Sequence, residues 1–200
     1  MMHHYEGDDL IVRKIEVGTM ENNVYVLECP HTHEAFLIDG CFEADKILKG
    51  AEGAEIVGIL QTHGHMDHVQ ALPELKERLG VPVYAHPDDD YPIPIDRELA
   101  DGDELKFGKD HIVTVIHTPG HTPGGVCFLT GTHLVSGDSL FPGGPGNTWG
   151  NKEHFEQLVT HIENKLFTLP DDTYVYPGHG KDTTIGAEKP HLQEWKDRGW

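Results

Sequence analysis

Thr62-His63-Gly64-His65-Met66-Asp67-His68 places three imidazoles and a carboxylate within the six residues His63 to His68. One residue earlier ends Ile56-Val57-Gly58-Ile59-Leu60, an apolar run that reads as a buried strand. Four metal-type ligands at a strand end are hard to explain by packing, because a buried polar group without a partner is costly. Imidazole and carboxylate together are what zinc or another first-row divalent metal prefers. His63 and His65 are two apart on an extended segment, so their side chains project to the same side. Asp67 and His68 arrive where the chain should turn into a helix, and can face a second ion beside the first. Zinc takes about four ligands, so neither pair completes a site and more must come from elsewhere.

Three later positions qualify. His121 lies in the turn-rich Thr118-Pro119-Gly120-His121-Thr122-Pro123-Gly124-Gly125, after the strand-like Ile112–Ile116. Asp138 follows the short strand His133-Leu134-Val135-Ser136-Gly137, and His179 sits in Tyr176-Pro177-Gly178-His179-Gly180. Each stands at a strand end among glycines, where the backbone can bend and approach a bound ion. With the first cluster they make five histidines and two aspartates, enough for two coordination shells.

The seven residues resemble the signature of the metallo-β-lactamase-fold hydrolases, His-x-His-x-Asp-His followed by a His, an Asp and a His, over about Val12 to His179. The resemblance implies an αββα sandwich, with the metals at one edge between the sheets, as a single domain spanning 1–200. It implies that His63, His65 and His121 hold one divalent ion, that Asp67, His68 and His179 hold a second, and that Asp138 bridges them. The ions would be Zn2+, with iron or manganese as alternatives. Asp39, ending Phe36-Leu37-Ile38-Asp39, resembles the family's aspartate that accepts a hydrogen bond from a ligand imidazole.

Composition narrows the partners. A net charge of −19 argues against a nucleic-acid backbone, and the expected partner is a small molecule. No stretch approaches about 18 apolar residues, so no membrane span is expected. The N-terminus has no apolar signal-peptide core, and Cys29, Cys41 and Cys127 are an odd number at no framework spacing. Reduced thiols in a cytoplasmic protein are the reading. The runs Asp88-Asp89-Asp90 and Asp101-Gly102-Asp103-Glu104 read as solvated loops.

Strands are expected at 10–17, 24–28, 35–39, 56–60, 81–85, 104–107, 112–116, 126–130, 134–136 and 174–176. Val69, Leu72, Leu75 and Leu79 recur at helical spacing and end at Gly80; Phe155, Leu158, Ile162 and Leu166 do so before Pro170. His86 and His117 read as structural or as supports for ligands. His31, His33, His111, His133, His154, His161 and His191 read as surface, and His3 and His4 as adventitious metal binders.

Two metals about 3.5–4 Å apart would activate a shared water as a bridging hydroxide for attack on a carbonyl or phosphoryl centre. Asp138 would hold the spacing and Asp67 would orient the nucleophile. Within the superfamily the chain looks most like the glyoxalase II group, whose substrate is a hydroxyacylglutathione thioester. Full-length members add a C-terminal helical domain that supplies basic residues to glutathione, which is not expected in the short segment after His179. Relatives usually follow the bridging Asp with Gly-Arg-Thr/Ser-Asp; Gly146-Asn147-Thr148-Trp149-Gly150 stands here. The 142–149 loop should therefore line a different pocket, with Trp149 as an apolar wall or as packing for the loop. Lys181 is a cation near His179, either a carboxylate partner or a surface lysine. A lactone hydrolase or a promiscuous β-lactam hydrolase is an alternative of the same fold. A persulfide dioxygenase using one iron is an alternative of another class, and a non-catalytic metal-binding scaffold is a further one. A phosphodiesterase acting on RNA is disfavoured by charge.

Overall fold

In the computed structural model of the chain, which describes residues 4–199, two sheets lie face to face with helices on both outer faces. His3 falls outside the described residues. The first sheet begins with β1 (Tyr5–Glu6), β2 (Ile11–Val17), β3 (Asn22–Glu28) and β4 (Glu34–Ile38), paired antiparallel in that order. Helix α1 (Ala44–Gly50) crosses to β5 (Glu55–Leu60), which lies parallel to β4. The short α2 (Met66–Val69) and α3 (Leu72–Leu79) lead to β6 (Val83–Ala85), with β7 (Arg97–Glu98) at the edge, again parallel.

The second sheet takes β8 (Glu104–Phe107), β9 (His111–His117), β10 (Val126–Thr130) and β11 (His133–Gly137), antiparallel neighbours in sequence. A small ribbon, β12 (Leu140–Phe141) with β13 (Gly144–Pro145), precedes α4 (Lys152–His161) and a π-helical turn over Ile162–Leu166. β14 (Tyr174–Pro177) then pairs parallel to β11, and β15 (Thr183–Thr184) closes the edge before α5 (Ile185–Glu188) and α6 (Leu192–Arg198).

Three apolar layers hold this together, as the αββα arrangement requires. Leu27, Phe36 and Leu60 of the first sheet meet Val115, Phe128 and Val135 of the second in the central layer. Ile47, Leu72 and Leu75 seat α1 and α3 on the outside of the first sheet. Phe155, Leu158, Val159 and Trp195 seat α4 and α6 on the second. Both helical stripes seen in the sequence therefore face core.

The stripe from Val69 to Leu79 is two helices rather than one. The Ala71 amide donates to the carbonyls of Gly40 (2.8 Å) and Cys41 (3.0 Å) instead of continuing the helical ladder, and Pro73, at the start of α3, has no amide hydrogen to give. Docking onto the end of β4 outweighs local helical preference. The strand expected at 81–85 begins only at Val83, and Asp39 lies outside β4 in a left-handed conformation, φ 68°. His133 is buried, its Nδ1 2.9 Å from the Tyr176 hydroxyl, so it is no surface histidine.

Candidate metal centre

Every ligand-type side chain stands at the carboxyl end of a strand. Because β4 and β5 are parallel, and β11 and β14 are parallel, their ends lie side by side at one edge of the sandwich. The segment after β5 carries His63 and His65 in a loop and Asp67 and His68 in α2; the loop after β9 carries His121; Asp138 directly follows β11, and His179 lies two residues past β14.

The structure brings these seven together. Ligand atoms of His63, His65 and His121 lie within 4.8 Å of one another, and so do those of Asp67, His68 and His179. Asp138 stands between the groups, with Oδ2 3.4 Å from His121 Nε2 and 3.5 Å from His179 Nε2, and Oδ1 3.5 Å from His68 Nε2. Gly178 allows that approach, since a Cβ there would fall 2.3 Å from Asp138 Oδ1.

Four of the five imidazoles are aimed by a contact on the other nitrogen, which fixes ring orientation and tautomer. His68 Nδ1 lies 2.8 Å from Asp39 Oδ2, His121 Nδ1 2.8 Å from the Asn147 carbonyl, and His179 Nδ1 2.9 Å from the Met20 carbonyl. His63 Nδ1 lies 3.1 Å from the Thr62 hydroxyl. Asp39 also accepts from the Thr62 amide (2.7 Å) and hydroxyl (2.8 Å), so its left-handed turn serves two partners at once. Asn22 Nδ2 donates to Asp67 Oδ2 at 3.0 Å; nothing in the sequence marked Asn22, because its partner is 45 residues away.

The nitrogens left over point at each other: His63 Nε2 to His65 Nδ1 at 3.1 Å, His68 Nε2 to His179 Nε2 at 3.2 Å. His121 Nε2 and Asp138 Oδ1 are buried without a hydrogen-bond partner. Converging lone pairs and orphaned acceptors are the arrangement that a cation relieves, so the residues fit divalent metal.

The two groups differ electrostatically. Burial holds His63 well below the ordinary imidazole pKa, helped by the surrounding imidazoles, and burial also lowers His65 and His121 against the pull of Asp138. Burial opposes charge on His179 too, but the hydrogen bonds to Asp138 and Asp67 prevail and raise it to about 10. His68 is likewise raised despite burial, by Asp138, Cys41 and Asp39. Burial would raise Asp67, yet His179, His68 and Asn22 hold it well below the carboxylate range.

A cavity of about 470 Å³ opens beside the centre. His121, Asp138 and His179 form its floor, and the segment Phe141–Thr148 forms its wall, with Arg198 of α6 at the side. Lys181 is exposed and does not line it; Arg198, whose Nη2 lies 3.4 Å from the Gly143 carbonyl, is the cation at this cavity. Asn147 acts on His121 through its carbonyl, while its Oδ1 accepts from the Trp149 amide at 2.7 Å. Trp149 is 65% exposed, with φ 51°, and its ring lies 5.3 Å from that of His65 and 5.2 Å from that of His121. A bulky residue in that region of φ is an outlier that suggests a role.

His86 and His117 stack at 4.0 Å with planes 16° apart. With Asp88 they form a further group whose ligand atoms lie within 4.8 Å of one another, and ring stacking accounts for the pair without an ion. Cys29, Cys41 and Cys127 are buried free thiols. Among the described residues no helix is long and apolar enough to cross a membrane.

The chain matches the family model described as the metallo-beta-lactamase superfamily over residues 17–179. Hydroxyacylglutathione hydrolase GloC of Haemophilus influenzae is 35% identical over 78% of this chain and 84% of its own length. The crystal structure of ETHE1 from Myxococcus xanthus superposes with TM-score 0.82 at 31% identity, covering 91% of this chain and 83% of that one. That of TTHA1623 in a di-iron-bound form does so with TM-score 0.75 at 33% identity, covering 88% and 96%. By its fold, its site and these likenesses the chain belongs to the metallo-β-lactamase superfamily, as a metallo-hydrolase with hydroxyacylglutathione hydrolases among its relatives.

Proposed function

We propose that the protein is a two-metal hydrolase that cleaves a thioester of the hydroxyacylglutathione type, with His63, His65 and His121 holding one ion, Asp67, His68 and His179 the other, and Asp138 shared. The observation that carries this is the pair of converging donor groups with the Asp138 carboxylate between them. Zn2+ suits the nitrogen-rich first group, and the di-iron form of TTHA1623 supports iron as the alternative. Two such ions, when bound, polarise the scissile carbonyl and acidify water toward neutral pH.

The chain's own residues do the rest. Asp67 Oδ2, steadied by Asn22, orients the attacking water. The 142–148 loop seats the acyl group and Trp149 stands beside His121, while Arg198, paired with Glu194, adds positive charge at the side of the cavity. That charge matters in a chain of net −19, which otherwise repels anions. The likeness to hydroxyacylglutathione hydrolases supports the thioester. The partner is a small molecule, and three buried thiols support a reducing, cytoplasmic setting.

The likeness to ETHE1 favours a second reading, a persulfide dioxygenase using one iron. Assays of one preparation against S-lactoylglutathione, a lactone, a β-lactam and glutathione persulfide separate these. Thioester turnover lost in Asp138→Ala is the expected result. Lactone or lactam turnover without thioester cleavage would move the substrate within the fold. Oxygen consumption with the persulfide would replace the reaction class.

A further inference from the structure

Asp89 is the middle residue of an acidic run that the sequence presents as a solvated loop. Asp88 and Asp90 are exposed, but Asp89 is half-buried. Its carboxylate accepts three hydrogen bonds: from the Gly64 amide to Oδ2 (2.9 Å), from the Thr122 hydroxyl to Oδ2 (2.7 Å) and from the Gly124 amide to Oδ1 (2.7 Å). Gly64 separates His63 from His65, and Thr122 follows His121. One carboxylate thus ties a loop of the first sheet to a loop of the second at the place where three imidazoles must meet.

Both glycines are shaped to this clamp. A Cβ on Gly124 would lie 2.8 Å from Asp89 Cγ, and a Cβ on Gly64 would lie 2.5 Å from the Asp90 carbonyl oxygen. The His-Gly-His spacing therefore serves close approach of the 88–90 loop as well as the alternation of side chains. Bonds to a carboxylate are shorter and stronger than neutral ones, and a binding constellation tolerates only about 0.5 Å of error.

We propose that Asp89 is a positioning residue that sets the distance between the His63–His65 arm and the His121 arm, and with it the metal affinity of that group alone. The proposal rests on the two-metal reading. Asp89 makes none of its three hydrogen bonds to the loops that carry His179 or Asp138; its bond at Gly64 falls between His63 and His65, ahead of Asp67 and His68 on the same segment, and those two keep the supports that Asp39 and Asn22 give them.

The test is a cobalt(II) titration of metal-free wild type, Asp89→Ala, Asp89→Asn and Thr122→Val, read by the visible spectrum, with thermal unfolding of each metal-free form as the check on folding. Wild type should take up two equivalents. Asp89→Ala should hold one as tightly as wild type and bind the other about 10–100-fold more weakly, with an altered cobalt spectrum. Asp89→Asn and Thr122→Val should lose less of the same equivalent, and they decide the matter if Asp89→Ala does not fold. Wild-type affinity and spectrum in the folded variants, or equal weakening of both equivalents, would overturn the proposal. Fewer than two equivalents in wild type would instead bring down the two-metal reading on which it rests.

Discussion

The two halves of the centre hold their imidazoles in opposite electrostatic settings. His63, His65 and His121 sit among imidazoles and are pushed toward the neutral form, ready to donate lone pairs. His68 and His179 face Asp67 and Asp138 and are pushed toward the charged form, so a cation must displace a proton there. Burial opposes charge in both groups and prevails in the first; in the second it is outweighed by Asp138 together with Asp39 and Cys41 at His68 and Asp67 at His179. One group is assembled for affinity, while the other exchanges a proton for a metal and is sensitive to pH.

Removing the shared element should have the largest effect. If Asp138 is shared between two ions as proposed, Asp138→Ala should lower kcat/KM by more than the roughly 10–100-fold that loss of a ligand's supporting partner costs, with both ions weakened. Full occupancy of both groups in that variant would deny that Asp138 joins them.

Acidification should separate the groups. With His179 raised to about 10 and His68 raised as well in the metal-free protein, binding at pH 7 releases protons, and affinity there should fall at least about tenfold per pH unit of acidification. The His63 group, already neutral, should bind without that penalty near pH 7. Calorimetric titration in two buffers of different ionisation enthalpy reads the protons released. Proton release by neither equivalent, or by both alike, would erase the contrast.

Asp39→Ala should weaken the His68 group about 10–100-fold, with a smaller loss in the His63 group, which Asp39 reaches only through the Thr62 hydroxyl, as read by metal competition. It also strands the buried Thr62 amide at a cost of about 1–3 kcal/mol, visible in the melting of the metal-free protein. Melting and metal affinity both unchanged would remove Asp39 from the account.

The smallest change belongs to Trp149→Ala. The Trp149 ring lies against those of His65 and His121 and carries no metal-ligating atom, so metal content should stay constant while KM for the thioester rises by a factor of about 10, the equivalent of roughly 1.4 kcal/mol. An unaltered KM would return Trp149 to the role of a bystander.

Much of this architecture could be read in the chain itself. The Thr62–His68 run is contiguous, so the ligand loop and the strand before it stood out, and the glycine-flanked His121, Asp138 and His179 followed by chemistry. Period-two and helical patterns located the main strands and both apolar stripes, because those faces are buried in continuous layers. What stayed hidden depends on contacts distant in sequence. Ala71 breaks a helix for the sake of Gly40, and Asn22 finds Asp67. Arg198, rather than Lys181, reaches the cavity, because α6 folds back beside it. Asp89 differs from Asp88 and Asp90 only in what its carboxylate touches. Local composition has no means of expressing any of these.

The most direct test of the central claim is the metal content per chain of protein purified without added metal, measured by elemental analysis alongside turnover of S-lactoylglutathione. Two divalent ions per chain with thioester hydrolysis that disappears on chelation is the expected result. A single iron per chain with no hydrolysis would contradict it.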